Sequence, residues 1–167
     1  MIIRSARVED ALSIAALHAA SWRAFYRGAL SDEYLDGDIL TDRQELWASR
    51  LATPAANQLV FLAVSGDEVR GFACVFLDAD RKWGALLDNL HVAREHQRQG
   101  TGAMLLHTVR DHVRAHRGTE LMHLWVLQSN ERARAFYESM GGKVVETDRW
   151  NPPGGGASAP RFRMAWW

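Results

Sequence analysis

One glycine loop constrains this chain more than any other feature, because it joins an apolar strand to an amphipathic helix. Residues 86–103 run from an apolar stretch into a loop that contains Gln97, Gly100 and Gly102. The helix predicted after it repeats apolar residues on one face, at Leu105, Leu106, Val109 and Val113. Glycine lets a backbone approach a ligand closely, and the first free N–H groups of a helix attract anions. The turn is therefore predicted to hold a phosphate-bearing cofactor.

Length and composition bound the class of protein. The chain has 167 residues, of which 47% are hydrophobic and 24% charged, and its formal net charge is zero. These values are typical of one globular domain, which we assign to residues 1–167. No cluster of basic charge points to nucleic acid or a membrane surface as a partner, and no apolar stretch is long enough to span a membrane. We expect a cytoplasmic protein, and we assign no metal ligands.

Hydrophobic periodicity predicts an alternation of helices and strands. Strands are predicted at residues 1–6, 58–64, 69–77, 83–92, 120–127, 143–150 and 161–167. Helices are predicted at residues 9–25, from 31–33 onward, at 42–51 with Thr41 as the N-cap, and at 102–116 and 131–140. This order indicates an α/β fold, a mixed sheet with helices on its faces. Residues 151–160, rich in glycine and proline, form either a lid or a simple connection.

The glycine loop alone leaves its ligand open. A Walker-type phosphate loop would carry lysine after the last glycine, where this chain has Ala103 and Met104. A dinucleotide-binding loop would carry a third glycine and an acidic residue about 20 positions later. A turn that needs glycine only for its backbone shape is an equally good interpretation of Gly100 and Gly102.

A second segment of the sequence helps to choose between these interpretations of the glycine loop. It runs Asn130-Glu-Arg-Ala-Arg-Ala-Phe-Tyr-Glu-Ser-Met-Gly141, directly after a predicted strand. Together with the Gln97-x-x-Gly100-x-Gly102 loop, it resembles the GNAT superfamily of acyl-CoA-dependent N-acetyltransferases. The resemblance covers residues 59–148 well and the flanking parts in element order only. The family usually has an aromatic residue where this chain has Gly142, and we expect that departure to affect packing rather than chemistry.

The resemblance implies a fold and an activity. The fold would be GNAT-like, with a central, mostly antiparallel sheet that splays between its fourth and fifth strands and is flanked by helices. The activity would move an acetyl group from acetyl-CoA to a primary amine by direct attack in a ternary complex. The alternative is a non-catalytic acyl-CoA-binding module that senses the cofactor and regulates a partner, since such a module needs the loop but no catalytic side chain.

The resemblance also implies which residues bind coenzyme A. The N–H groups of residues 98–103 would hold the pyrophosphate, the backbone of residues 90–92 would pair with the pantetheine arm, and Asn130 would bind that arm from the other side or serve as a helix N-cap. The predicted cofactor-binding residues are Leu90, His91, Val92, Gln97, Arg98, Gln99, Gly100, Thr101, Gly102, Ala103, Asn130, Ala133, Phe136 and Tyr137.

Two residues are candidates for proton transfer. Tyr137 would be the general acid that protonates the leaving thiolate, although its spacing also suits a core aromatic. Asp88 is the candidate general base, or else a structural carboxylate; a relay through water from Asp88 or Glu33 is a further possibility. Period-two alternation puts Asp88 on one strand face with Leu86, Leu90 and Val92, and puts His91 on the other face unless a bulge intervenes.

The acceptor pocket is predicted from aromatic residues. By resemblance, the N-terminal helices and a late loop would form it, and the candidates are Trp22, Tyr26, Glu33, Trp83 and Trp150. Aromatic walls together with Asp32 and Glu33 would favour a cationic acceptor, which would be a small-molecule or peptide amine. The apolar end, residues 165–167, looks exposed and suggests a homodimer.

Overall fold

The computed structural model describes residues 1–152 and 156–167, which form a seven-stranded sheet with helices on both faces. The strands are β1 (Ile2–Ser5), β2 (Gln58–Ser65), β3 (Glu68–Asp80), β4 (Gly84–Val92), β5 (Met122–Leu127), β6 (Lys143–Trp150) and β7 (Ala159–Trp166). The helices are α1 (Ala11–Phe25), α2 (Asp32–Asp36), α3 (Ile39–Ala52), α4 (Thr101–Arg117) and α5 (Glu131–Ser139). Residues 153–155 of the predicted lid or connection lie outside the described residues. Within the described ranges, no helix is both long and apolar enough to cross a bilayer.

The sheet has the order β1-β2-β3-β4-β5-β7-β6, and only β4 and β5 are parallel. The predicted fold class and the order of elements are confirmed. One helix start is wrong: α3 begins at Ile39 after Asp38, three residues before the predicted position. Ile39 is fully buried in a cluster with Leu35 and Trp22, so tertiary packing extends the helix past the capping signal of Thr41.

The splay between β4 and β5 is the feature that creates the site. The two strands pair only at Ala85–Met122 and Leu86–His123, and they diverge beyond these residues. Gly84 permits the close approach at the paired end, because a Cβ atom there would lie 2.1 Å from the carbonyl oxygen of Leu121. The parallel strands therefore meet at one end and leave a gap at the other.

A β-bulge in β4 changes which side chains share a face. Register with β3 pairs Val75 with Leu87 but Cys74 with Asn89, so Asp88 is the extra residue. Cross-strand partners share a face, and the resulting faces are Leu86, Asn89 and His91 toward α1 and α3, and Leu87, Leu90 and Val92 toward α4. The prediction that Leu86 shares a face with Leu90 and Val92 is therefore wrong, because the bulge shifts the alternation between them.

The C-terminal strand is less exposed than the sequence suggested. Ala165 and Trp166 are buried and only Trp167 is exposed, so most of the predicted apolar surface at this end does not exist. The Trp166 indole donates a hydrogen bond from Nε1 to the Met140 carbonyl (3.0 Å) and lies against Gly142. A Cβ atom at Gly142 would be 2.7 Å from Trp166 Cζ2, so the indole fills the space that a side chain at 142 would need. The departure at Gly142 is thus a matter of packing around α5.

Candidate active site

A cavity of about 680 Å³ opens where β4 and β5 diverge. Its walls come from both strands, the glycine loop, the start of α4, α5, and the inner faces of α1 and α3. The sequence-predicted residues that line it are Leu90, His91, Val92, Gln97, Arg98, Gly100, Gly102, Ala103, Asn130, Ala133, Phe136, Tyr137, Asp88, Trp22, Tyr26 and Trp150. Residues from four separated segments of the chain thus meet in one site.

Four predicted site residues are not part of the cavity wall. Thr101 is buried with its hydroxyl toward Met1 Sδ (3.5 Å), and the Gln99 side chain donates to the carbonyl oxygen of Glu95 (2.9 Å). Only the backbone N–H groups of these two residues remain available to a ligand, as the loop hypothesis requires.

The other two were assigned to the acceptor pocket. Glu33 is exposed on α2, and Trp83 precedes β4 at the paired end of the sheet, where Lys82 Nζ lies 4.4 Å from its ring centroid. Asp32 forms an ion pair with Arg27 at the surface. The acidic groups expected to attract a cation are therefore absent from the described cavity wall.

The glycine loop has the shape of an anion cradle. Arg98 and Gly100 both adopt left-handed backbone conformations, with φ of 62° and 83°, just before α4 begins at Thr101. The first N–H groups of α4 have no partners inside the helix. The Gln97 amide donates to the Val92 carbonyl oxygen (3.0 Å), which ties the loop to the end of β4. Successive N–H groups held in this way, at the positive end of a helix dipole, form a binding site for phosphate.

Gly102 allows the second motif to reach the loop. A Cβ atom there would lie 3.4 Å from Phe136 Cζ of α5 and 3.6 Å from Val92 Cγ2, so β4, α4 and α5 meet at this residue. Arginine outnumbers acid along the described cavity wall, where Arg43, Arg50, Arg98, Arg132 and Arg161 are lining residues against Asp88, and Arg98 belongs to the glycine loop itself. The residues present therefore fit a ligand that carries phosphate groups.

Asn130 fulfils its structural role and still lines the cavity. Its side-chain oxygen accepts a hydrogen bond from the N–H of Ala133 (3.1 Å), which makes it the N-cap of α5. The cap fixes the start of a nine-residue helix that carries Tyr137 on its buried face. Burial, together with the nearby phenol of Tyr26, raises the pKa of Tyr137 above its ordinary value. The Tyr137 hydroxyl is consequently protonated at neutral pH and able to donate.

Asp88 lines the cavity but already has a strong partner. Its carboxylate accepts a hydrogen bond from Arg50 Nη1 at 2.8 Å, and the same nitrogen lies 3.4 Å from Asn89 Oδ1. The Arg50 guanidinium also rests on the Trp47 ring, 5.3 Å from its centroid. The bulge thus places Asp88 in an ion pair with α3.

Aromatic rings form the opposite end of the cavity. Trp22 stacks on Tyr26 with ring centroids 5.1 Å apart, and Trp150 meets both rings edge-on at 6.1 and 5.8 Å. Burial, with a smaller contribution from the charge of Asp88, raises the pKa of Tyr26 to about 12. Arg43 lies over the Trp22 ring, 4.5 Å from its centroid, so this end already contains a cation–π contact.

Sequence reasoning missed a polar cluster on α1 and β4. His18 and Ser21 line the cavity beside the His91 ring, which had been assigned only a cofactor-binding role. His18 Nδ1 accepts a hydrogen bond from Trp47 Nε1 (3.0 Å), and burial lowers the pKa of His18 far below its ordinary value. The helical spacing of His18, Ser21, Trp22 and Phe25 is the signal that could have put these residues on one face.

Comparison with known proteins agrees with this geometry. The family model "Acetyltransferase (GNAT) family" matches residues 14–142. A probable N-acetyltransferase of Mycobacterium tuberculosis is 27% identical over 157 residues, which are 92% of this chain and 86% of that protein.

Two solved structures show the same fold. The PaiA N-acetyltransferase of Thermoplasma acidophilum, solved with coenzyme A, has a TM-score of 0.77 at 21% identity and covers 99% of this chain and 98% of its own. The ribosomal-protein-S18-alanine N-acetyltransferase of Escherichia coli has a TM-score of 0.65 at 25% identity, over 98% of this chain and 91% of its own. Fold and site together define an acyltransferase. The chain belongs to the GNAT acetyltransferase family.

Proposed function

We propose that this protein transfers an acetyl group from acetyl-CoA to a primary amine, with both substrates bound at once. The observation that carries the proposal is the single cavity between β4 and β5, which joins the phosphate-binding loop at one end to an aromatic pocket at the other. The PaiA relative was solved with coenzyme A, which supports the same ligand here.

The cofactor end is assigned residue by residue. The N–H groups of residues 98–103 would hold the pyrophosphate, with Arg98 beside them and Phe136 closing the junction at Gly102. Acetyl-CoA supplies an activated acetyl group as a thioester. The backbone of residues 90–92 faces the gap left by β5, so it would pair with the pantetheine arm and polarise the thioester oxygen.

Tyr137 is proposed as the general acid. It lies in the cavity wall next to Phe136, their ring centroids being 5.2 Å apart, and its hydroxyl is a neutral hydrogen-bond donor there. A protonated phenol in a dry site can donate its proton to a departing thiolate.

Direct transfer is supported by the state of the cysteine. Cys74, the only cysteine in the sequence, is fully buried in β3, and burial together with the Asp88 charge raises the pKa of its thiol to about 12. A thiol held neutral in the core is a poor nucleophile and therefore a poor acetyl carrier.

The acceptor is proposed to be a small-molecule or peptide amine. The aromatic rings of Trp22, Tyr26 and Trp150 offer a pocket for its apolar part. The E. coli relative is named as a ribosomal-protein-S18-alanine N-acetyltransferase, so a peptide with N-terminal alanine belongs among the acceptors tested. Cytoplasmic location and homodimerisation stay predictions of the sequence.

Replacing Tyr137 by Phe is the test of the enzyme hypothesis. We expect kcat to fall by about 10²–10⁴-fold, because the thiolate loses its proton donor, while affinity for acetyl-CoA is retained. The measurement is release of free coenzyme A thiol with spermidine, lysine and an alanine-starting hexapeptide as acceptors, and calorimetry gives the affinity.

Tyr34→Phe is the matched control, since Tyr34 bonds to Asp42 and does not line the cavity. Tight binding of acetyl-CoA without thiol release from any acceptor would favour the sensor alternative. Absence of binding would refute both functions.

A further inference from the structure

His91 is the cavity residue whose chemistry the proposed function leaves unused. The bulge at Asp88 puts its side chain on the face of β4 toward α1, opposite Leu90 and Val92. His91 Nδ1 is hydrogen-bonded to Ser21 Oγ at 2.7 Å. Phe72 and His18 hold the imidazole, with ring centroids 5.3 and 4.8 Å away. The ring is therefore fixed in orientation at the acceptor side of the cavity.

We propose that His91 is the proton acceptor for the attacking amine and that Ser21 positions it. The inference rests on the proposed acetyl transfer and assigns its general base. A hydroxyl that accepts from Nδ1–H selects the tautomer in which Nε2 carries a lone pair. No hydrogen bond within residues 1–152 and 156–167 involves His91 Nε2, and this nitrogen is also not among the buried unpartnered atoms. Nε2 is therefore accessible from the cavity, and it carries the lone pair in the Nδ1–H tautomer that the proposal requires.

The surroundings of His91 keep it neutral. Burial, with a smaller contribution from the Arg43 charge, lowers the pKa of His91 to about 4. The other titratable or charged groups around this end of the cavity are His18 and Tyr26 from the α1 side, Arg50 from α3 and Asp88 on β4. The imidazole is therefore neutral at physiological pH, and its Nε2 lone pair is not blocked by a proton in the Nδ1–H tautomer.

In this proposal His91 of β4 and Tyr137 of α5 perform the two proton transfers of the reaction. The amine nitrogen forms a bond to the acetyl carbon, the carbon–sulfur bond breaks, and the proton on nitrogen moves to His91 Nε2. The leaving thiolate takes the Tyr137 proton. Water then carries the His91 proton away and restores Tyr137, so the products are the acetylated amine and free coenzyme A. His91 faces the acceptor, while the adjacent Leu90 faces α4, the cofactor helix.

The other candidate bases on β4 are less suited. The Asp88 carboxylate is already bonded to the Arg50 guanidinium at 2.8 Å, and taking a proton would weaken that ion pair. Leu86, which shares the His91 face, has no titratable group.

The substitution that tests this is His91→Gln. We expect kcat for spermidine or the peptide to fall by about 10²–10⁴-fold, with calorimetric affinity for coenzyme A unchanged. His107→Gln on the exposed side of α4 is the matched control and keeps wild-type kcat. In His91→Ala, added imidazole restores part of the turnover. A His91→Gln enzyme with near-wild-type kcat, or a His91→Ala enzyme that imidazole does not rescue, overturns the proposal.

A spectroscopic measurement separates this proposal from the proposed function. Imidazole ¹⁵N spectra of the coenzyme A complex at pH 7 should show His91 as the neutral Nδ1–H tautomer, and Ser21→Ala should increase the Nε2–H form. A His91 that is cationic, or already Nε2–H in the wild type, contradicts the base assignment even if turnover is found. If instead no amine is acetylated by wild type, the proposed function fails and this spectrum alone decides whether His91 is poised to accept a proton.

Discussion

Gly142 shows how a single residue can control the position of α5. Gly141 ends the helix region in a left-handed conformation. A Cβ atom at Gly142 would lie 2.7 Å from Trp166 Cζ2 and 3.0 Å from the Tyr137 carbonyl oxygen. Tyr137 and Trp166 rings also meet edge-on, 6.0 Å apart. The packing around Gly142 therefore acts on the residue proposed as general acid.

Substitution Gly142→Ala should destabilise the protein by about 1–3 kcal/mol, because the new methyl group has to displace the indole. Urea unfolding measures this loss. In a double-mutant cycle with Trp166→Phe, whose ring is smaller, the double variant should be more stable than the sum of the single effects. Simple additivity would mean that the Trp166 contact is not the cause.

Site residues were predictable where a local sequence motif contains them. They were not predictable where the fold brings together residues that are far apart in the sequence. Gln97, Gly100, Gly102, Asn130 and Tyr137 lie at the cavity because short-range spacing encodes a turn, a cap and a helix face. The bond between Ser21 and His91 joins residues 70 positions apart, and no local pattern announces it.

The prediction that Trp83 lines the acceptor pocket is not met for the same reason. Its aromatic character suggested a pocket wall, but the place of β4 in the sheet puts it at the paired end.

At the scale of elements, α5 is short and depends on its cap. Nine residues are too few for a stable isolated helix, so the Asn130 cap and burial of Tyr137 have to hold it in place. The cap also determines where α5 begins relative to the glycine loop, because Phe136, further along the same helix, packs over Gly102.

Removing the cap with Asn130→Ala should cost about 1 kcal/mol of stability and raise KM for acetyl-CoA, since the start of α5 loses its anchor. Asn130→Asp keeps an oxygen that can accept from the Ala133 N–H, so it should recover the stability. Thermal unfolding and initial-rate kinetics measure the two effects. Equal stability of the Ala and Asp variants would contradict a capping role.

Most elements were predictable because their hydrophobic periodicity agrees with the cap and turn residues at their ends. Gly118, for example, was expected to end α4, and it caps the helix with φ of 71°. The bulge at Asp88 was not predictable, because an extra residue in one strand is defined only by the register of its partner. That single irregularity decides which side chains of β4 face the acceptor.

At the scale of the whole molecule, stability should depend on two neutral histidines. Burial lowers the pKa of both His18 and His91 below the ordinary value of 6.5, to about 4 for His91. The folded protein therefore binds fewer protons than the unfolded chain between about pH 4 and pH 6.5. Stability is therefore highest above that range and falls as the pH drops through it; the effect of His91 levels off near pH 4, and that of His18 continues to lower pH.

We expect the free energy of unfolding to decrease between pH 6.5 and pH 4 by up to about 1.4 kcal/mol per pH unit for each of these histidines. Urea unfolding at a series of pH values measures the slope. His91→Gln should show a shallower slope than wild type. Parallel curves for wild type and His91→Gln would contradict a neutral, buried His91.

The short contact between β4 and β5 has one more consequence. His91, the proposed proton acceptor, belongs to β4, and Tyr137, the proposed proton donor, belongs to the helix that follows β5. The two groups therefore lie on opposite sides of the β4–β5 seam, the contact in which only two residue pairs join these strands. A small rocking of one side against the other changes the distance between them without altering either residue. Substitutions around Gly84 and Leu121, which are not themselves proton-transfer groups, would therefore change the rate of acetyl transfer by changing the angle between β4 and β5.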